Sequence, residues 1–473
     1  MIYTDFVRRK LAAIPPVGIA PTDYLAGPLF PHQDALCRWA IRRGRAAVFA
    51  DTGLGKTRIQ LAWADAIHRE TGHDVLILAP LAVAEQTVEE GAGIGVTVNH
   101  ARTGDDVAHG INITNYERLH RFDAERFGAV VLDESSCIKH HDTKTLAMLL
   151  AAFRQTPYKL CATATPAPND WTELGTHAEF LNVCTQAEML SEYFVHDGGE
   201  TQVWRLKGHA REEFWRWVAS WGALVRSPAD LGFDGSAYVL PPLNVAQHIS
   251  ETDAEAAEGM LFAMEASTLS ERRAARKASM EHRVRDCELT VKSEWSNFAP
   301  RSGLPLEPWI IWVDLNSEQD ALERAFGDLA FSVRGNQQAE HKEDQIKRWL
   351  RGERPVMISK PSIMGWGINA QHCARMAFVG VTDSFEAYYQ AVRRCWRFGQ
   401  KRPVNVHIFA SHLEGAIIAN LRRKEADALA MSESLAAQTG AAVRDAVLGS
   451  IHSTNDYNAT RAVKLPAFMR ASV

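Results

Sequence analysis

The chain has 473 residues, 46% hydrophobic and 23% charged, with a formal net charge of −5. Such a length predicts two to four compact units that fold without disulfide or metal staples, and 13 Trp with 19 Phe exclude a disordered, collagenous or coiled-coil chain. No run nears the roughly 18 apolar residues that span a bilayer, and the acidic balance requires any basic footprint for nucleic acid to be local.

The N-terminus, MIYTDFVRRKLAAIPPVGIA, mixes charge and proline and lacks a signal-peptide core. The seven cysteines stand singly, with no C-x-x-C pair, which points away from zinc and toward a reducing, cytoplasmic compartment.

From about Arg45 to Pro166, strand-length apolar runs alternate with amphipathic stretches. The runs are Ala46–Ala50, Val75–Ala79, Ile111–Thr114, Val130–Leu132 and Leu160–Thr163, and helical patterns such as Thr57–Glu70 and Thr143–Phe153 lie between them. That alternation predicts an α/β unit with a parallel sheet covered on both faces. A second such unit begins near Trp309 and continues through PVMISK, MAFVGV and VNVHIF.

Between them the composition changes. Trp204, Trp215, Trp217 and Trp221 cluster, SPADLGFDGSAYVLPPL follows, and then comes the arginine-rich ERRAARKASMEHRVRD. Four regions are expected: a lobe over 1–183, a mainly helical insert over 184–308, a second lobe over 309–411 and a helical tail over 412–473. Phe214, Trp217, Val218, Trp221 and Leu224 recur at helical spacing and read as a core stripe. Trp215 lies off that stripe and is expected at the surface.

The strongest local signal is AVFADTGLGKTRIQLAW. An apolar strand enters a glycine-containing loop, and Gly55-Lys56-Thr57 opens an amphipathic helix. Glycines let backbone N–H groups wrap a phosphate, and the helix N-terminus adds its positive dipole end. Lys56 would reach the β- and γ-phosphates, and the Thr57 hydroxyl would hold Mg²⁺. Ala50 stands where the strict pattern has its first glycine. The partner motif is VVLDESSCIKH, which delivers Asp133 and Glu134 to the end of a strand. Open α/β sheets place their ligands there, so Asp133 is expected on Mg²⁺ and Glu134 beside the attacking water.

In order, LFPHQ, DTGLGKT, LAPLAVAEQ, TNYERL, DESSCIKH and TATPAPND precede GWGIN and YYQAVRRCWRFGQKRPV. This succession, over most of Leu29 to Val406, resembles the superfamily-two helicases. Its final block is similar to the Q-A-x-x-R-x-x-R-x-G-Q of the Swi/Snf-type DNA-translocating ATPases, here Gln390, Ala391, Arg394, Arg397, Gly399 and Gln400. Compact chains of this type also resemble phage or prophage helicase-like proteins.

The resemblance implies two RecA-like lobes with ATP and Mg between them. Gln33 would read the adenine edge, while Thr52, Gly53, Gly55, Lys56 and Thr57 hold phosphates. Gln390 is expected at the nucleotide, with Arg394 and Arg397 as arginine fingers from the opposite lobe. A guanidinium fork matches the charge that spreads over γ-phosphate oxygens in phosphoryl transfer. Three departures bear on coupling: Ser136 replaces the second motif's histidine, Ala164 replaces a glycine, and SKPSIM replaces a glycine-rich loop.

For the nucleic-acid track, family position implies Thr114, Asn115, Tyr116, Thr163 and Thr165 in the first lobe. Ser359, Lys360, Gly365 and Gly367 are the second-lobe counterparts, for backbone phosphates need amides, hydroxyls and cations rather than base readers. The basic residues Arg272, Arg273, Arg276, Lys277, Arg283 and Arg285 offer either a duplex-facing patch or a solvated face. His140 and His141 read as loop residues. The expectation is an ATP-dependent motor translocating on double-stranded DNA. Its rivals are a strand-separating DNA or RNA helicase and an ATP-switched DNA-binding scaffold.

Overall fold

Short apolar runs become the strands of two separate parallel sheets. The computed structural model describes residues 16–20, 23–80, 83–139, 143–167, 170–196, 204–250, 279–298, 306–364, 368–380, 384–411, 423 and 440–448. In chain order, α1 (Pro31–Arg43) leads into β1 (Arg45–Ala50), α2 (Lys56–Thr71), β2 (Val75–Ala79), α3 (Ala84–Gly93), β3 (Val98–His100) and β4 (Ile111–Asn115). Then come β5 (Ala129–Asp133), α4 (Lys144–Ala152), β6 (Tyr158–Thr163), α5 (Leu174–Phe180) and α6 (Gln186–Tyr193). A hairpin of β7 (Phe194–His196) and β8 (Trp204–Leu206) precedes α7 (Arg211–Ala219), β9 (Gly222–Val225), β10 (Leu243–Ser250) and α8 (Met280–Phe298). The second unit holds β11 (Trp309–Trp312), α9 (Asn316–Phe326), β12 (Ala330–Val333), α10 (Ala339–Leu350) and β13 (Val356–Ser359). It closes with α11 (Pro361–Met364), β14 (Arg375–Phe378), α12 (Phe385–Val392) and β15 (Val404–Ser411).

The first sheet runs β3-β4-β2-β5-β6-β1-β9 and the second β10-β15-β14-β11-β13-β12. Every pairing within them is parallel. Central strands such as β2 and β5 are buried along their whole length, because helices pack on both faces. A core lies on each side of each sheet, around Trp63 and Phe153 in the first unit and Trp312 and Trp309 in the second. These are two RecA-like lobes.

The segment 184–308 keeps its helices α6, α7 and α8, and it also extends both sheets. Gly222–Val225 lies parallel to β1, and Leu243–Ser250 pairs with β15 along its full length. Both are edge strands: the exposure of β10 hides the apolar signature that marks a buried strand, whereas β9 is buried but only four residues long. Trp215 corrects the expectation of a surface role. It is 4% exposed, with its ring 4.7 Å from Trp171 and 4.8 Å from Phe214. Trp171 comes from a turn before α5 and covers the face of α7 that helical spacing alone leaves open. Phe214, Val218 and Trp221 are buried as the stripe predicts, with Trp217 and Leu224 packed against them, but the helix ends at Ala219, so Trp221 lies beyond it and Leu224 on β9.

Of the basic run, Arg272, Arg273, Arg276 and Lys277 lie outside the described residues, as do His140, His141, Gly365 and Gly367. Arg285 is exposed. Arg283 is fully buried in an ion pair with Glu318 and so belongs to neither a solvated face nor a duplex-facing patch. In the tail, the helical residues 440–448 pack onto the first lobe through Val443 and Val447. All seven cysteines are free. No helix among the described residues is long and apolar enough to cross a membrane.

Candidate nucleotide site between the lobes

The loop after β1 takes its shape from two glycines in the left-handed region, Gly53 (φ 93°) and Gly55 (φ 80°). A Cβ at Gly55 would stand 2.1 Å from Gln33 Nε2, and one at Gly53 would stand 2.7 Å from Phe398 Cβ in the opposite lobe. Both positions therefore need glycine for conformation, and Gly53 also for space, since it meets Phe398 backbone as well. Lys56 opens α2, and its Nζ donates to the Ala50 carbonyl at 2.9 Å, folding back over the loop. Burial pulls its ammonium below the usual range, against the attraction of Glu134, Asp51 and Asp133.

Asp133 is the last residue of β5. Its Oδ1 accepts from Gln60 Nε2 at 2.6 Å, and its carbonyl accepts from the Tyr116 hydroxyl at 2.7 Å. Burial, and next the neighbouring Glu134 charge, push its carboxyl up to about 6. Glu134 has a positive φ of 51°, rare for a residue with a side chain, and its Oε2 lies 3.4 Å from Thr163 Oγ1. Such strain at a strand end is the kind of feature that functional sites retain.

From the second lobe, Arg394 donates from Nε to the Gln390 carbonyl at 3.0 Å and from Nη2 to Gln390 Oε1 at 2.7 Å. Burial lowers its guanidinium to about 10, with Glu134 opposing. Arg397 Nε is buried and has no hydrogen-bond partner. One cavity of about 410 Å³ is lined by Gln33, Thr52, Gly53, Gly55, Lys56, Thr57, Asp133 and Glu134 from the first lobe and by Arg394 and Arg397 from the second.

The donor set fits a magnesium nucleotide. Thr57 and Asp133 supply the hard oxygens that Mg²⁺ takes, and Lys56 with the orphaned Arg397 Nε supplies cations for phosphate. The aromatic rings of Tyr238 and Phe398, 4.3 Å apart and stacked, stand at the same cavity with Phe30.

Two expected nucleotide residues have other duties. Gln33 lines the cavity, yet its Oε1 accepts from Phe30 N at 3.0 Å and its Nε2 donates to the Leu54 carbonyl at 3.0 Å, tying α1 to the loop. Gln390 does not line the cavity; it is 1% exposed, supports Arg394, and reaches Thr165 Oγ1 across the cleft at 3.5 Å.

The expected nucleic-acid residues divide as well. Thr114, Asn115, Thr163 and Ser359 are buried. Asn115 accepts from Arg118 N at 3.0 Å, Thr163 Oγ1 accepts from Thr165 N at 3.2 Å, and Ser359 donates to the Val333 carbonyl at 3.0 Å. Tyr116 is spent on Asp133. In this structure Asn115, Tyr116, Thr163 and Ser359 brace strand ends, the buried Thr114 hydroxyl has no hydrogen-bond partner, and Thr165 and Lys360 are half-exposed. Ser136, which replaces the family histidine, is buried with its hydroxyl unpartnered, while Ser135 Oγ lies 3.1 Å from His177 Nε2.

Sequence reasoning missed Gln60, Asp51, Arg393, Tyr238 and Phe398. Gln60 carried a signal: a lone amide in the otherwise apolar run Ile59–Ala64. Phe398 and Arg393 sit within the last arginine motif, at positions whose residue type its pattern leaves free.

The chain matches the family model of the AAA domain over residues 28–161 and that of the helicase conserved C-terminal domain over residues 309–399. Among solved structures it is similar to the Sulfolobus solfataricus SWI2/SNF2 ATPase core in complex with dsDNA. Identity is 17% and the TM-score 0.41, covering 83% of this chain and 90% of that one. No curated protein matches the chain.

Proposed function

We propose that this chain, a superfamily-two helicase-type ATPase, is a motor that hydrolyses Mg-ATP between its lobes and uses cleft closure to translocate along double-stranded DNA. One observation carries the reading: Glu134 of the first lobe and Arg394 and Arg397 of the second line a single cavity. A hydrolytic set split in this way is complete only when the lobes are together, so turnover and lobe motion are the same event.

In this scheme the backbone N–H groups of the 52–56 loop and Lys56 hold the β- and γ-phosphates. Thr57 and Asp133 would hold Mg²⁺, which would supply positive charge to offset that of the phosphate oxygens. Glu134 orients water in line with the γ-phosphorus and accepts its proton as the new P–O bond forms. Arg394 and Arg397 stabilise the charge on the equatorial oxygens while the bond to the ADP leaving oxygen breaks. Choosing duplex DNA as the track rests on the block Gln390, Ala391, Arg394, Arg397, Gly399 and Gln400, which resembles that of duplex-translocating ATPases.

The test is steady-state ATP hydrolysis without nucleic acid and with duplex DNA, single-stranded DNA or RNA, with Lys56→Ala and Arg397→Ala alongside. Stimulation by duplex that both substitutions abolish is the expected result. Stimulation mainly by single strands or RNA selects a strand-separating helicase instead. ATP binding with no turnover under any condition leaves only a nucleotide-switched scaffold.

A further inference from the structure

We propose that Arg393 of the second lobe, with Tyr389 beside it, is a positioning residue that neutralises Asp51 of the phosphate loop, making nucleotide affinity depend on whether the lobes are closed. The inference rests on the motor reading above. It adds a third arginine, one that meets a carboxylate of the first lobe where Arg394 and Arg397 face the phosphate cavity.

Asp51 is the residue between β1 and the loop glycines. Its backbone N–H donates to the Val225 carbonyl at 2.9 Å, and its own carbonyl accepts from Leu54 N at 3.3 Å, so its backbone is tied on both sides. Its Oδ1 accepts from Thr52 N at 2.6 Å and from the Tyr389 hydroxyl at 3.1 Å. Its Oδ2 pairs with Arg393 Nη2, in a salt bridge whose side chains are 28% and 5% exposed. The Arg393 guanidinium is itself held over the rings of Tyr389 and Trp396, 5.4 Å and 5.1 Å from their centres. Beside this pair, Phe398 rests on Gly53. The second lobe therefore grips the loop at two successive points, by charge at Asp51 and by packing at Gly53.

A carboxylate here is an unusual neighbour for a triphosphate. Asp51 does not line the cavity, but it directly precedes Thr52, which does, and it is close enough to Lys56 to act on its charge, so its field reaches whatever anion Lys56 holds. Left without Arg393, it would repel that anion across the loop. Burial alone would raise its carboxyl, but Arg393 holds it below the ordinary range, so the pair is ionised on both sides. In the closed state Arg393 cancels the repulsion. When the lobes part, Arg393 leaves with the second lobe and the carboxylate stays uncompensated on the phosphate loop. Opening thereby weakens nucleotide binding and favours product release. No bond is made or broken, and the switch is the distance between two charges.

The experiment measures equilibrium binding of a fluorescent ADP to the full chain without nucleic acid, for wild type, Arg393→Gln, Asp51→Asn and the double variant. Arg393→Gln is expected to weaken binding about tenfold or more, by leaving the carboxylate uncompensated. Asp51→Asn should bind at least as tightly as wild type and release ADP more slowly. The double variant should return to within about threefold of wild type, a rescue that a purely structural role for Arg393 does not produce. Arg393→Lys keeps the charge and should hold affinity near wild type, which separates charge loss from misfolding. Wild-type affinity in Arg393→Gln, or no rescue in the double variant, overturns the proposal. Tight binding that follows the expected pattern in a chain that never turns over ATP would sink the motor reading alone.

Discussion

Gln60 donates to Asp133 Oδ1 at 2.6 Å with both residues buried, joining the helix that follows the phosphate loop to the strand that ends in the acidic pair. One carboxylate oxygen is thereby occupied, and the other is left for the cation. The bond also restrains the carboxyl, which burial and Glu134 push up to about 6, because an amide N–H favours the ionised form. Gln60→Leu removes that restraint, so Asp133 should take up its proton at higher pH. Since a cation needs the ionised carboxylate, the acid limb of the ATPase pH profile should move to higher pH and half-maximal Mg²⁺ should rise. The measurement is a set of pH–rate profiles at several Mg²⁺ concentrations. An unmoved limb with a normal Mg²⁺ requirement would reduce Gln60 to packing.

Glu134 lines the same cavity, but its role in the scheme is the water rather than the cation. Glu134→Gln keeps the size and loses the base, so ADP affinity should stay close to wild type while turnover falls by roughly 100-fold or more. Thr163→Val removes the hydroxyl 3.4 Å from Glu134 Oε2 and should cost less, because at that distance the contact positions the base only loosely. Equal losses of affinity and turnover in Glu134→Gln would argue against a base at this position.

Much of this site is legible in the chain. Gly53, Gly55, Lys56 and Thr57 declare themselves because only one backbone path suits them, and Asp133-Glu134 because an apolar run ends there. The edge strands β9 and β10 are not legible in this way, for β10 is largely solvated and β9 is a four-residue buried run whose Leu224 also falls at helical spacing from Trp217 and Trp221. Asp51 and Arg393 are 342 positions apart, and no local pattern speaks for a pair made by two lobes meeting. Trp215 fails for a related reason: helical spacing predicts one apolar face, and Trp171 supplies a second. The buried hydroxyls of Thr114 and Ser359 show the converse, since motif position alone does not say which way a strand-end side chain turns.

His177 offers a pH test of the first lobe. It is fully buried on α5, its Nε2 lies 3.1 Å from Ser135 Oγ, and its ring meets Phe49 edge-on at 5.2 Å. Burial lowers its imidazole from 6.5 to about 4. The unfolded chain therefore takes up a proton that the folded chain refuses, so this group's contribution is full above 6.5 and is lost as pH falls toward 4. His177→Phe keeps the ring and removes the titration. Its melting temperature should fall less than that of wild type across this acid window. At neutral pH it should be the less stable by about 1 kcal/mol, the cost of orphaning the Ser135 hydroxyl. Parallel melting curves against pH decide the matter, and identical slopes would remove His177 from the acid response.

The ion pair of Arg283 and Glu318 sets how α8 is anchored to the second lobe. Both side chains are 0% exposed, with Nη1 to Oε1 at 2.9 Å. Arg283 Nε donates to Ser279 Oγ at 3.0 Å, and Glu318 Oε2 accepts from Asp314 N and Leu315 N, each at 2.9 Å. The carboxylate therefore caps the start of α9 while it binds α8. Gly380 makes room for it, since a Cβ there would stand 2.3 Å from Glu318 Oε2. Arg283→Met leaves a buried carboxylate with its amide partners but no countercharge, and should destabilise the second lobe by about 3–5 kcal/mol. Adding Glu318→Gln removes the stranded charge and keeps a capping oxygen, so the double variant should recover part of that loss. A cycle of four denaturant titrations measures the coupling. Additive losses would mean that the two helices are held by the surrounding apolar packing of Val284, Cys287 and Leu322, with the charges as passengers.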